Sequence, residues 1–134
     1  MGNKLTFGII QKYLAEITMF NIAVSMTGLK EAVGSFTTYS YGREDIERAV
    51  RSVDRAWQGI SKASSVENFS ETEKKNLAYL IDNARQQLTK SLSTLKKIKC
   101  TNQAEIIIYV KDSEQNLEML EKVIKGEITI EDLK

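Results

Sequence analysis

The sequence predicts an all-α fold, an up-and-down bundle of four helices with a short C-terminal helical turn. Three observations lead there. The 134 residues include no proline, so nothing forbids long helices. Apolar residues recur at steps of three and four along four separate segments, the period of a helix with one buried face. Cap and turn signals such as Gly42, the run Ser70-Glu71-Thr72-Glu73 and Gly126 fall between those segments.

The first helix is predicted over residues 5–33. Ile10, Leu14, Ile17, Phe20 or Asn21, and Val24 keep helical spacing. Phe7, Ile9, Tyr13, Met19, Ile22 and Met26 spread further apolar surface around most of the remainder. A helix apolar on nearly all sides is either central in a bundle or shared with a partner. Gly28 and Gly34 weaken its last turns. Residues 35–42, with their hydroxyls, β-branched residues and terminal glycine, read as a loop with room for a short extended piece.

The second helix is expected over residues 43–63. Glu44, Asp45 and Glu47 suit its positive N-terminal end. Ile46, Val50, Val53, Trp57 and Ile60 step by four, three, four and three, a heptad seam. Residues 64–69 form a connection. Ser70 and Glu73 then make a capping box for the third helix, in which each side chain serves the other's backbone amide. Leu77, Ile81, Ala84, Leu88, Leu92 and Leu95 form its buried stripe, and Lys96, Lys97 and Lys99 suit its negative end. The fourth helix starts at Asn102, with Glu105 as capping partner. Ile106, Val110, Leu117, Leu120 and Ile124 share a face. Residues 106–110 are β-branched enough for a strand, but the same face continues without a turn signal to Lys125, which favours helix. Gly126 ends it. Thr129 and Asp132 cap one last turn, with Ile130 and Leu133 packing back. The whole chain, residues 1–134, reads as one domain.

Composition narrows the function. Lys and Arg number 19 and Asp and Glu 18, so no global charge draws the chain to nucleic acid or lipid. The single cysteine, Cys100, leaves no intramolecular disulfide and no cysteine-based zinc site, and a reducing, cytoplasmic setting is the simplest expectation. There is no histidine. That removes the commonest general base and metal ligand and every Ser-His or Cys-His pair. No enzyme activity, cofactor or metal is expected. The longest uncharged apolar stretch, residues 17–29, is shorter than the roughly 20 residues that span a bilayer, so no membrane contact is expected either.

What remains is surface. Arg48, Arg55 and Lys62 repeat every seven residues, with Arg51 between the first two. Such spacing places them on one side of the second helix, expected next to the Val53 and Trp57 seam. Arginine suits phosphate because its planar fork donates two hydrogen bonds at once. Tyr39, Tyr41 and Arg43 just upstream add two rings for stacking and another cation, a combination that holds single strands. These seven residues are the candidate nucleic-acid contacts. A plain solvated face is the competing account, with Glu44, Glu47 and Asp54 in reach as partners. Lys90, Lys96, Lys97 and Lys99 fit dipole compensation and solubility. Glu114, Glu118 and Glu121 read as a solvated face rather than a divalent-cation site, which takes more ligands from a shaped loop. Trp57-Gln58-Gly59 is similar to the W-x-G turn of small secreted helical-hairpin proteins, but Trp57 continues a heptad seam and fits a core position better.

Residues 37–51, from Thr37-Thr38-Tyr39-Ser40-Tyr41-Gly42-Arg43 into Glu44-Asp45-Ile46-Glu47-Arg48-Ala49-Val50-Arg51, resemble the small subunit of archaeal type I-A CRISPR effector complexes. The likeness spans residues 20–60. Those subunits are short non-catalytic helical proteins that pack side by side in an antiviral nucleoprotein assembly and help hold target DNA. The resemblance implies that the tyrosine loop and Arg48, Arg51 and Arg55 face nucleic acid while the first helix packs on a neighbour. Two functions are therefore expected: a non-catalytic subunit contacting nucleic-acid backbone, or a self-associating, adaptor or immunity-type bundle with no nucleic-acid contact.

Overall fold

Four helices build the computed structural model of the chain, which describes residues 3–33, 43–98 and 103–134. They are α1 (Phe7–Val33), α2 (Arg43–Ser61), α3 (Glu71–Leu95) and α4 (Gln103–Ile124). Two-residue strands β1 (Lys4–Leu5) and β2 (Ser65–Val66) and a 3-10 turn at Ile130–Leu133 complete the described elements.

Side-chain pairs fix the directions. The Thr18 hydroxyl donates to Gln87 at 2.9 Å, and the Ser91 hydroxyl donates to Asn21 at 2.8 Å. Both partners advance together, so α1 and α3 run the same way. On α1 and α2 the order reverses: Tyr13 stacks on Trp57, whereas Phe20 meets the core beside Val50 and Val53. On α3 and α4 it reverses too, with Arg85 paired to Glu121 and Gln103 donating to the Leu95 carbonyl. The helices thus alternate up, down, up, down, as the sequence predicts.

The core is the set of stripes the heptad spacing selects. Ile10, Ile17 and Val24 of α1 are fully buried, as are Ile46 and Ile60 of α2, Leu77 and Leu95 of α3, and Leu117 and Leu120 of α4. Each such side chain contributes about 1.5–3 kcal/mol relative to exposure. Residues 106–110 are helical. A strand would bury Ile106, Ile108 and Val110 together; here Ile106 and Val110 are buried and Ile108 is 58% exposed, a helical period.

The caps are where the sequence places them. The Ser70 hydroxyl accepts from the Glu73 amide at 3.1 Å, and the Glu73 carboxylate accepts from the Ser70 amide at 3.0 Å. Gly126 ends α4 at φ 78°, in the left-handed region that favours glycine. Its amide donates to the Val123 carbonyl and the Glu127 amide to the Lys122 carbonyl, the paired bonds of a Schellman ending. In the last turn the Thr129 amide donates to Asp132 at 2.9 Å, and Ile130 and Leu133 are buried. The expected cap at Asn102 lies outside the described residues.

The start of α1 corrects the sequence reading. Leu5, expected in the first helix, is a buried strand residue, and part of the 64–69 connection is its parallel partner, with Lys4 opposite Ser65 and Leu5 opposite Val66. Thr6 sets the boundary: its hydroxyl accepts from the Ile9 amide. The helix has no acidic residue in its first turn. Glu67 supplies one from across the fold, accepting from the Phe7 amide at 3.1 Å, where a carboxylate meets the positive helix end.

Candidate interaction surface

One face of α1 is left uncovered. Ile10, Ile17, Val24 and their neighbours turn inward, and Thr18, Asn21 and Gly28 abut α3. On the opposite side Met19, Ile22, Met26 and Leu29 are 39–56% exposed. They step by three, four and three, the a/d spacing of a coiled-coil seam. No charged residue occurs between Glu16 and Lys30. The exposed area of the four side chains is on the order of 400 Å², the size of patch that is often functional on a monomer. Burial of α1 on all sides is therefore ruled out for this stripe. The 27-residue helix packs between α2 and α3 and leaves this stripe outward.

Lys12 and Arg55 line a separate groove of about 280 Å³ with Ile9, Glu16 and Ser52, nearer the start of α1 than the stripe. Towards α3, Lys90 and Lys97 are exposed. Each precedes by one residue a side chain packed into the bundle, Ser91 and Ile98, and both lie a turn from Thr94, which abuts α1 at Gly28. None of these four cations has an ion-pair partner among the described residues.

Comparison of the chain with known protein families, curated proteins and solved structures gave no match.

The candidate nucleic-acid contacts fall into two groups. Tyr39, Tyr41 and the Arg43 side chain lie outside the described residues. Arg48, Arg51, Arg55 and Lys62 are all exposed. They do share a side of α2, but not the side beside Val53 and Trp57. At 100° per residue Arg51, Arg55 and Lys62 fall nearly opposite Val53, and Val53 is buried while they are not. Arg48 pairs with Asp45 at 3.6 Å. Arg51, Arg55 and Lys62 have no ion-pair partner among the described residues, so Asp54 does not serve them; it accepts from Gln58 at 3.1 Å.

The remaining candidates are structural. Trp57 packs against the core, its ring 5.3 Å from that of Tyr13 and tilted by 49°. Glu121 bonds Lys125 at 2.9 Å and Arg85 at 3.0 Å, and Glu118 pairs with Lys122. The hydrogen bond from Lys125, then the nearby Arg85 charge, hold the Glu121 carboxyl below its ordinary range. Tyr13 is buried with its hydroxyl facing Ser113 and Asn116, and burial pushes its pKa well up. Sequence reasoning named Met19, Ile22 and Met26 as surplus apolar surface but missed Leu29 and the direction all four share. The 3-4-3 spacing was the available signal, hidden because this helix is apolar in every direction.

Proposed function

We propose that this protein is a non-catalytic component of a larger assembly, joined to it by a partner helix that docks on the outer face of α1. The supporting observation is the uncovered a/d stripe of Met19, Ile22, Met26 and Leu29. A coiled-coil seam presents knobs that only another helix fills well. The stripe also contributes little to the bundle itself, since its side chains point away from it. The test is a titration of the folded protein with a synthetic amphipathic helix carrying apolar a/d residues and uncharged flanks, followed by the methyl resonances of Met19 and Met26. Shifts centred on those two methyls are the expected result. Unmoved methyls up to millimolar peptide overturn the reading.

A second reading, that of a nucleoprotein subunit, is favoured by Arg51, Arg55 and Lys62, which stand exposed on one side of α2 with no ion pair among the described residues. Phosphate contact there gives binding that weakens steeply with salt, and a shallower slope once Arg48, Arg51 and Arg55 are all changed to Ala. Absence of binding to single- or double-stranded DNA or RNA at low salt overturns it. The likeness to CRISPR effector small subunits belongs with this reading and stands or falls with it.

A further inference from the structure

We infer that the groove between α1 and α2 holds one phosphate of a nucleic-acid strand, with Lys12 on the α1 side and Arg55 on the α2 side. This inference rests on the nucleoprotein reading above and adds a contact that the α2 row lacks. Arg55 belongs to that row and also lines the groove, and Lys12 lines it from the other helix. Both are exposed and have no ion-pair partner among the described residues, although Glu16 follows Lys12 by one helical turn and lines the groove too. Two cations and one carboxylate leave a single positive charge in excess, which matches the single negative charge of a phosphodiester. Cations on two separate helices also give a strand a fixed position, which is what phosphate contacts supply.

The rest of the lining suits that ligand. Ser52 adds a hydroxyl donor, and Ile9 and Ala56 are half-buried side chains packed against the core. Gly59 is the feature the fold does not explain. It lies inside α2, where glycine is less favourable than alanine. It has no positive φ, and a Cβ added there meets no atom within 4 Å. Neither backbone conformation nor close packing calls for glycine, but its absent side chain keeps the groove open beside Arg55. The volume of about 280 Å³ is small for a pocket that encloses a whole ligand, and an open groove of that size suits a single phosphate. Arg51 and Lys62 lie exposed on α2 before and after Arg55, so a strand running along this helix meets further cations on leaving the groove.

The experiment uses the full chain and labelled single strands of DNA and RNA, each of about 12 nucleotides. Affinity is read by fluorescence anisotropy across a salt series. Each phosphate contact to a single strand contributes about 0.7 to the slope of log K against log salt. Lys12→Ala should weaken binding at low salt and make that slope shallower by about 0.7. Gly59→Glu places a carboxylate in the groove where there is room for a side chain. It should weaken binding at least as much and keep the wild-type circular dichroism. Lys90→Ala removes an exposed cation towards α3 and should leave affinity and slope unchanged. Binding that neither Lys12→Ala nor Gly59→Glu alters leaves the nucleoprotein reading in place and overturns the groove as its site. An equal loss in Lys90→Ala overturns the groove as well, by showing attraction without a fixed position. Absence of binding to either strand at low salt overturns the reading and the groove together.

Discussion

Tyr13 sits on the core face of α1 with its ring against Trp57, and its hydroxyl has no hydrogen-bond partner among the described residues although Ser113 and Asn116 face it. A buried hydroxyl left in that state costs about 1–3 kcal/mol. Tyr13→Phe keeps the ring and removes the group. The variant should therefore gain on the order of 1 kcal/mol, the low end because two polar side chains already offset part of the cost. For a chain of this length that is a rise in Tm of about 4 °C. Trp57, the only tryptophan, lies beside the substitution and reports unfolding in urea. The alkaline limb gives a second check. Burial raises the Tyr13 pKa, so above about pH 10 the unfolded chain gives up this proton while the folded one keeps it. Folded protein then binds more protons, and stability falls by up to about 1.4 kcal/mol per pH unit. That contribution is fully present below pH 10 and absent in Tyr13→Phe, whose alkaline limb should be flatter; the other tyrosines are common to both proteins. A loss of 1 kcal/mol or more in the variant at neutral pH would refute this reasoning, by showing that the hydroxyl makes a real bond to Ser113 or Asn116.

Two further substitutions probe how the helices are joined. Gly28→Ala puts a Cβ 2.7 Å from the Thr94 Cγ2 methyl; overpacking of about 1–3 kcal/mol outweighs the roughly 1 kcal/mol of helix propensity gained, so urea unfolding should show net destabilisation. Adding Thr94→Ser, which removes that methyl, should restore most of the loss. Ser70→Ala removes the hydroxyl that accepts from the Glu73 amide and keeps the Ser70 amide that donates to Glu73; it should cost about 1 kcal/mol, with faster hydrogen exchange confined to the first turn of α3.

Local patterns made most of the bundle legible. The 3-4 spacing of Ile46, Val53 and Ile60, or of Leu77, Ile81 and Leu88, names residues that are buried, because a helix face is set by residues a turn apart. Ser70-Glu73 and Gly126 are caps made within four residues of one another, and they too could be read directly. The β1–β2 pairing could not. Leu5 and Val66 are 61 positions apart, and nothing near either one marks an extended pair; α1 and α3, running side by side, bring their leading segments together. The Glu67 bond to the start of α1 is hidden for the same reason. The arginine row shows a different limit. Its shared side followed from the seven-residue repeat, but its direction was misjudged, since spacing gives relative angles and only burial says which angle faces the core. On α1 the reverse held: surplus apolar residues pointed to a partner surface, but which of them form it depended on where α2 and α3 pack.

The account rests on a stripe that serves a partner and not the fold. Ile22→Glu with Met26→Glu tests it most directly, read by urea unfolding and by binding of the amphipathic a/d peptide with uncharged flanks in the same preparation. Both side chains are exposed, so the account expects an unfolding midpoint within about 0.5 kcal/mol of the parent, the usual range for surface changes, and loss of peptide binding. Collapse of stability, or binding that survives unchanged, would contradict it.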